Sequence, residues 1–163
     1  MKKLNFGCGT DIKDGFDNVD IQEGEGINKS FDFNVFPYPI KDNTYDYVYH
    51  HMVLEHIKDR ERTLHELHRI CKNGAIIESW VAYWNNKGAW NDMTDQRPFS
   101  EVTFQTFVNN TTRHNYKKKF EIVKIYLEPT IVGKFMPRII RNKLSLFLCG
   151  LIGRVRVDME VIK

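Results

Sequence analysis

A short strand-like run, Lys3-Leu4-Asn5-Phe6, leads straight into Gly7-Cys8-Gly9, and the next two strand candidates each close on an aspartate. The first is Asp17 to Ile21, with Asp20 near its end; the second is Ser30 to Phe33, with Asp32 near its end. This order constrains the chain more than any other feature. In an open α/β sheet, ligands gather outside the carboxyl ends of the strands, near the point where strand order reverses. Glycines at 7 and 9 carry no Cβ and let the backbone approach a ligand closely. Asp20 can then accept both ribose hydroxyls, and Asp32 can accept from an adenine amino group beside the Phe33 amide. Taken singly, each is as easily a turn or capping residue. Placed after three successive strands, together they favour a nucleotide site.

The kind of nucleotide is narrowed by what is missing. The dinucleotide fingerprint needs a third glycine where Ile12 stands and an acidic residue about twenty positions on, and Asp20 comes early. The sequence has no GxxxxGK[ST] phosphate loop. An adenosine ligand without a pyrophosphate fits better.

Further along, Tyr45 to His50 is rich in aromatic and β-branched residues and predicts a fourth strand. Asp59 is placed to cap a helix with an apolar stripe at Leu64, Leu67 and Cys71, and Asn73-Gly74 predicts its left-handed stop. Ala75 to Ala82 predicts a strand, residues 83–100 a long functional loop with Trp84, Trp90, Arg97 and Pro98, and Ser100 the cap of a helix through Phe104 and Phe107. Phe120 to Tyr126 and Val155 to Ile162 predict the last strands, with a helix from about Pro137 to Cys149 between them. The alternation predicts a three-layer α/β sandwich around a mostly parallel, Rossmann-like sheet. The expectation is one domain over residues 1–163, with 83–112 and 127–153 as substrate-side insertions.

Charge is unevenly placed. The net value is only +3, with 42% hydrophobic and 28% charged residues. Yet residues 1–66 carry 8 Lys/Arg against 13 Asp/Glu, and residues 67–163 carry 16 against 8. Beyond residue 112 the count is 12 basic to 4 acidic, so the acidic front and the basic tail should do different jobs. Cys8, Cys71 and Cys149 are few, odd in number and far apart, which suits a reduced cytoplasmic protein. The N-terminus lacks a signal-peptide apolar region, and Leu144 to Gly153 is about half the length of a transmembrane helix. No transmembrane segment is expected.

Six ordered segments carry a resemblance to a known family: Leu4-Asn5-Phe6-Gly7-Cys8-Gly9, Asn18-Val19-Asp20-Ile21, Phe36-Pro37-Tyr38-Pro39, Asp42-Asn43-Thr44-Tyr45-Asp46, Val53-Leu54-Glu55-His56 and Glu66-Leu67-His68-Arg69-Ile70. Over roughly residues 3–110 the chain resembles the class I S-adenosylmethionine-dependent methyltransferases, nearest the compact methyltransferase type 11-like subgroup. The resemblance implies a seven-stranded sheet with a reversed final hairpin and S-adenosylmethionine at its carboxyl edge. It implies that Gly7, Cys8 and Gly9 face the methionine part through backbone groups. Asp20 would hold the ribose, Ile21 would pack on the adenine, Asp32 and Phe33 would read its edge, and His50 would lie beneath the sulfonium. Two departures stand out. Only ten residues separate Gly9 from Asp20, so the first crossover helix must shrink to a turn or stub. Asp95, in the segment Asp92 to Phe99, stands where the family usually has a histidine.

Methyl transfer from a sulfonium is an in-line displacement, assisted by a base where the acceptor must lose a proton. The candidates are His56, Glu55 and Asp95, each set against a capping or packing role. Trp90 and Arg97 are the candidate acceptor contacts, an aromatic wall and a fork for carboxylate or phosphate. No histidines stand at zinc spacing, and no metal is expected. The basic tail combines Lys117-Lys118-Lys119 with an amphipathic helix bearing Lys134, Arg138, Arg141 and Lys143 beside Met136, Ile139, Ile140, Leu144, Phe147 and Leu151. Its plainest reading is a helix packed on the sheet with a solvated face. The sharper readings are a substrate lid, a homodimer face, or a surface for acidic lipid or nucleic acid. The preferred function is methyl transfer to a small-molecule or glycan-related acceptor. The alternatives are a nucleic-acid methyltransferase and a non-catalytic cofactor-binding module.

Overall fold

The computed structural model describes residues 1–113 and 119–163, which leaves Lys117 and Lys118 of the basic cluster outside the described residues. Seven strands form one sheet: β1 (Lys3–Phe6), β2 (Asp17–Asp20), β3 (Lys29–Ser30), β4 (Tyr45–His51), β5 (Cys71–Ala82), β6 (Phe120–Pro129) and β7 (Ile152–Val161). Their order is β3-β2-β1-β4-β5-β7-β6. The first five are parallel, and β7 runs antiparallel between β5 and β6. The Rossmann-like sheet with its reversed final hairpin is therefore present. The third strand is shorter than expected, ending at Ser30 before Asp32.

Register separates the two faces of this sheet. Leu4, Val48, Ile77, Met159 and Ile122 lie side by side in one row across five strands. The first four are fully buried, each contributing about 1.5–3 kcal/mol of transfer free energy. One residue along, the adjacent row on the opposite face is Asn5, Tyr49, Glu78, Asp158 and Lys124. Because strand side chains alternate faces, this polar row cannot share the apolar layer.

Two helices cover the apolar face. Helix α1 (Arg60–Ile70) begins where the Asp59 carboxylate accepts the Arg62 amide at 3.0 Å, and it buries Leu64, Leu67 and Ile70. Its end differs from expectation. The chain passes directly into β5, and the last carbonyls accept from a neighbouring turn, Asn43 N to Arg69 O at 3.1 Å and Thr44 N to Ile70 O at 2.7 Å. Asn73-Gly74 instead falls inside β5, where Gly74 has φ +77° and the pairing with β4 slips between Tyr45 and Tyr47. Helix α2 (Glu101–Arg113) starts with a reciprocal cap. The Ser100 amide donates to Thr103 Oγ1 at 3.1 Å, and the Thr103 amide donates to Ser100 Oγ at 3.3 Å. Both helices meet over Phe120, whose ring lies 5.2 Å from His68 and 5.5 Å from Phe107.

The other face carries no helix among the described residues. Residues 7–16 form the stub expected in place of the first crossover helix, and they fold over β1 and β4. Phe16 lies edge-on to Tyr47 at 6.1 Å, and the Lys13 ammonium sits 4.6 Å over the Tyr49 ring. Two buried amides hold the stub: Asn5 Nδ2 donates to Asp11 O at 2.7 Å and to Asn18 Oδ1 at 2.9 Å, and Asn18 Oδ1 also accepts the Lys13 amide at 3.0 Å. Toward β7 the face is polar, with Arg156 paired to Glu78 at 2.9 Å and to Asp158 at 2.7 Å, and Arg154 paired to Glu128.

The expected helix from Pro137 to Cys149 is shorter, α4 (Arg138–Leu144), and a separate single turn, α3 (Ile131–Lys134), precedes it across the Met136-Pro137 turn. Its polarity is also the reverse of expectation. Gly133, Arg141 and Ser145 are buried, whereas Ile131, Phe135, Ile139 and Phe147 are exposed. Space decides this, since a Cβ at Gly133 would stand 2.0 Å from the Leu151 carbonyl oxygen. Only a residue without a side chain fits there. This insertion follows β6 and precedes β7, which puts it at the carboxyl edge of the parallel strands. Asn85 Nδ2 ties it to the loop after β5, donating to Ser145 O at 2.7 Å.

Candidate functional site

At the carboxyl edge the chain leaves β1 through Gly7 and Gly9 in left-handed conformations, with φ +70° and +49°. The Gly7 and Cys8 amides both donate to Val19 O, at 2.8 and 3.0 Å. They are therefore committed within the fold, which leaves the Gly9 amide as the one aimed at the neighbouring tip. It donates to Asp20 Oδ2 at 2.7 Å, while Asp20 Oδ1 accepts the Gln22 amide at 3.1 Å. A Cβ at Gly9 would meet nothing within 4 Å, so this point faces open space.

That space is a crevice of about 370 Å³ lined by Gly9, Thr10, Ile12, Asp20 and the loop from Gln22 to Ile27. It falls within the usual range for small-molecule sites. Ile21 stands exposed at its rim, free to cover an apolar ring. Asp32 is also exposed, with Oδ1 accepting the Asn34 amide at 2.8 Å. The Phe31 amide bonds Asp20 O at 3.1 Å, which holds the two aspartate-bearing tips side by side. The residues thus fit an adenosine ligand at the ribose end, with a carboxylate, an open glycine and an apolar rim. Sequence reasoning missed Ile12 and the Gln22 to Ile27 loop; the clustered Gly24 and Gly26 were the available signal for a turn there.

Three expected cofactor residues turn their side chains into the protein. The Cys8 side chain is buried, and burial followed by the nearby Asp20 charge pushes its thiol pKa up. The Phe33 ring is a core residue, 4.1 Å from Phe6, so only its backbone can serve a ligand. His50 lies inside β4, fully buried, and neither ring nitrogen has a hydrogen-bond partner. Burial, reinforced by His51, lowers its pKa to about 3, so the ring is neutral. Ser79, its partner across β5, is buried with an unpartnered hydroxyl as well.

The loop after β4 gathers the acid–base candidates and sorts them. Val53 closes against Gly7, where a Cβ would come within 2.4 Å of Val53 Cγ2. Glu55 is buried; its Oε1 accepts the Ala82 amide at 2.6 Å and so ties this loop to the end of β5. Burial raises its pKa, with the Ala82 hydrogen bond opposing. This is a structural carboxylate. His56 is half-exposed, with Nδ1 3.1 Å from Asp95 Oδ1 and 3.0 Å from Thr94 Oγ1. The Asp95 contact is close enough for an ion pair but is not aligned as a hydrogen bond. Thus two of the three candidates, His56 and Asp95, meet although thirty-nine residues apart in the chain.

Of the acceptor candidates, Trp90 ends a single 3-10 turn (Lys87–Trp90), exposed, with Nε1 donating to Trp84 O at 3.0 Å. Arg97 lines a different and larger groove of about 1040 Å³ between α1 and α2, with Arg60, Phe99 and Phe104. Trp90 does not line that groove. Among the described residues no group of three or more His, Cys, Asp or Glu is placed to hold a metal ion.

Residues 8–78 match the family described as the methyltransferase domain. No curated protein matches the chain. Among solved structures, a SAM-dependent methyltransferase from Archaeoglobus fulgidus superposes with a TM-score of 0.72 at 18% identity, covering 98% of this chain and 85% of that one. An S-adenosylmethionine-dependent methyltransferase from Mesorhizobium loti gives 0.63 at 12% identity, covering 98% and 90%. The cyclase SpnF gives 0.63 at 13% identity, covering 99% and 75%. At such identities the likeness is one of fold.

Proposed function

We propose, for a chain that carries a methyltransferase domain and is thereby an enzyme using S-adenosylmethionine, that the methyl group passes to a small-molecule or glycan-related acceptor by in-line displacement. The observation that carries this reading is the closed contact between the Gly9 amide and the Asp20 carboxylate at the mouth of an open crevice. Asp20 and Gly9 would hold the cofactor's ribose, Ile21 its adenine ring, and Asp32 with the Phe33 backbone the adenine edge.

When bound there, S-adenosylmethionine supplies an electrophilic methyl carbon on a sulfonium. The chain's own work is to align a nucleophile with that carbon and exclude water, worth up to about 7–11 kcal/mol. The loop after β5 and the α3–α4 insertion, tied together through Asn85, stand over this edge and would shape the acceptor site. Trp90 would contribute an apolar wall. Arg97 remains the candidate for an anionic acceptor group, reached from the α1–α2 side. His56 would take the acceptor's proton, its ring oriented by Asp95 and Thr94.

The test is titration calorimetry with S-adenosylmethionine and with NAD, on the wild-type protein and Asp20→Ala, followed by detection of S-adenosylhomocysteine across an acceptor panel. Binding of S-adenosylmethionine that Asp20→Ala weakens at least about tenfold is expected, since a charge-assisted contact contributes about 1.5–3 kcal/mol. A wild-type protein indifferent to S-adenosylmethionine would falsify the reading.

A further inference from the structure

The α3–α4 insertion is built inside out. Its buried positions are a glycine, an arginine and a serine, while Phe135 is 87% exposed, Phe147 81% and Ile139 74%. Large exposed apolar patches on a soluble domain mark an interaction surface. The charge around this one has a single sign. From Pro129 to Val157 the sequence has no acidic residue, and Lys134, Arg138 and Lys143 are exposed among the apolar tips. A protein partner with an apolar groove would not require that sign, and a nucleic acid would not require the projecting phenylalanines. A bilayer with anionic headgroups accepts both features, taking the apolar tips at the acyl boundary and the ammonium and guanidinium groups at the phosphates. No helix among the described residues is long and apolar enough to cross a membrane, so the contact is one of lying on the surface.

We propose that the face formed by α3, α4 and the segment Leu146 to Leu148 docks on an anionic membrane surface, with Phe135 and Phe147 as the inserting tips and Lys134, Arg138 and Lys143 as the headgroup contacts. The insertion stands on the carboxyl edge of the sheet, joined to the loop after β5 by Asn85. Docking therefore turns that edge of the molecule toward the headgroups.

Co-sedimentation of the full chain with vesicles of phosphatidylcholine alone, or of phosphatidylcholine with phosphatidylglycerol, tests this without cofactor or acceptor. A negative result thus leaves the calorimetric test of the cofactor site untouched. We expect binding to the anionic vesicles at least about tenfold tighter than to the neutral ones, weakening as salt rises. The double variant F135S/F147S should lose at least about tenfold in binding, and K134Q/R138Q/K143Q should erase the preference for anionic lipid. All five positions are exposed, so unchanged circular dichroism and thermal unfolding are expected in both variants. Several results overturn the proposal: no sedimentation with either vesicle, equal binding to both, or F135S/F147S binding like the wild type. A dimer in analytical ultracentrifugation that F135S/F147S disperses, or retention of a single-stranded RNA oligomer, overturns it when vesicle binding is absent.

Discussion

Asn5 and Asn18 sit opposite one another on adjacent parallel strands, and their side-chain amides meet at 2.9 Å beneath the loop that replaces the first crossover helix. A helical crossover satisfies its own backbone. A ten-residue stub cannot, and these two buried amides supply the missing partners, reaching Asp11 O and both backbone groups of Lys13. Gly9 is then held one residue beyond Cys8 in position to meet Asp20.

Replacing Asn18 with alanine should therefore unfasten the stub. It leaves the Lys13 amide without its acceptor and the Asn5 amide with Asp11 O alone, at a cost of about 1–3 kcal/mol. Urea denaturation should show a lower midpoint with little change in slope. Calorimetry should show weaker S-adenosylmethionine binding, although position 18 lies outside the crevice lining.

Gly7→Ala should destabilise for two separable reasons. The backbone there has φ +70°, costing an alanine about 1–2 kcal/mol, and the new Cβ would press on Val53 at 2.4 Å. Val53→Ala removes the γ-carbons that clash but leaves the backbone strain. A double-mutant cycle should give a favourable coupling of about 1–3 kcal/mol, and simple additivity would argue against the contact.

His56 and Glu55 should separate under kinetics. His56→Ala should lower kcat by about 10²–10⁴-fold with little change in unfolding free energy, as expected for loss of a general base. Glu55→Gln keeps an acceptor for the Ala82 amide and should leave kcat within a few-fold of wild type. The reverse pattern would assign the proton transfer to Glu55.

Glu55 also carries a pH signature. Its folded pKa is raised, so its contribution to stability is complete below the unfolded value and declines as pH rises through the folded one. Glu55→Gln should thus match wild type near pH 4 and exceed it at neutral pH. His50 works in the opposite direction. Its folded pKa, about 3, lies below the model-peptide value, so its contribution is complete above pH 6.5 and is lost as pH falls toward 3. Over that range the stability curve should slope by up to about 1.4 kcal/mol per pH unit from this group. His50→Leu should flatten the acid limb in denaturation series across pH.

What could be read along the chain was what depends on near neighbours. The strand leading into Gly7-Cys8-Gly9, the Asp59 cap and the Ser100 cap need only a few adjacent residues, and all three are present. The expected helix stop at Asn73-Gly74 is equally local as a signal, yet it failed. The end of α1 is satisfied by amides of Asn43 and Thr44, some twenty-five residues earlier in the chain.

The same division runs through the site. The sequence alone determined the proposed cofactor edge, because short βα turns place Gly9 and Asp20 at neighbouring strand tips. Only tertiary structure decided where the other candidates stand. It set Glu55 against Ala82, brought Asp95 to His56, and enclosed His50 without a partner. It also turned the apolar side of α3 and α4 outward, because the Leu151 carbonyl leaves room beneath for a glycine and little else. Periodicity can say that a helix has an apolar side. Which side faces the protein is fixed by the space the rest of the fold leaves.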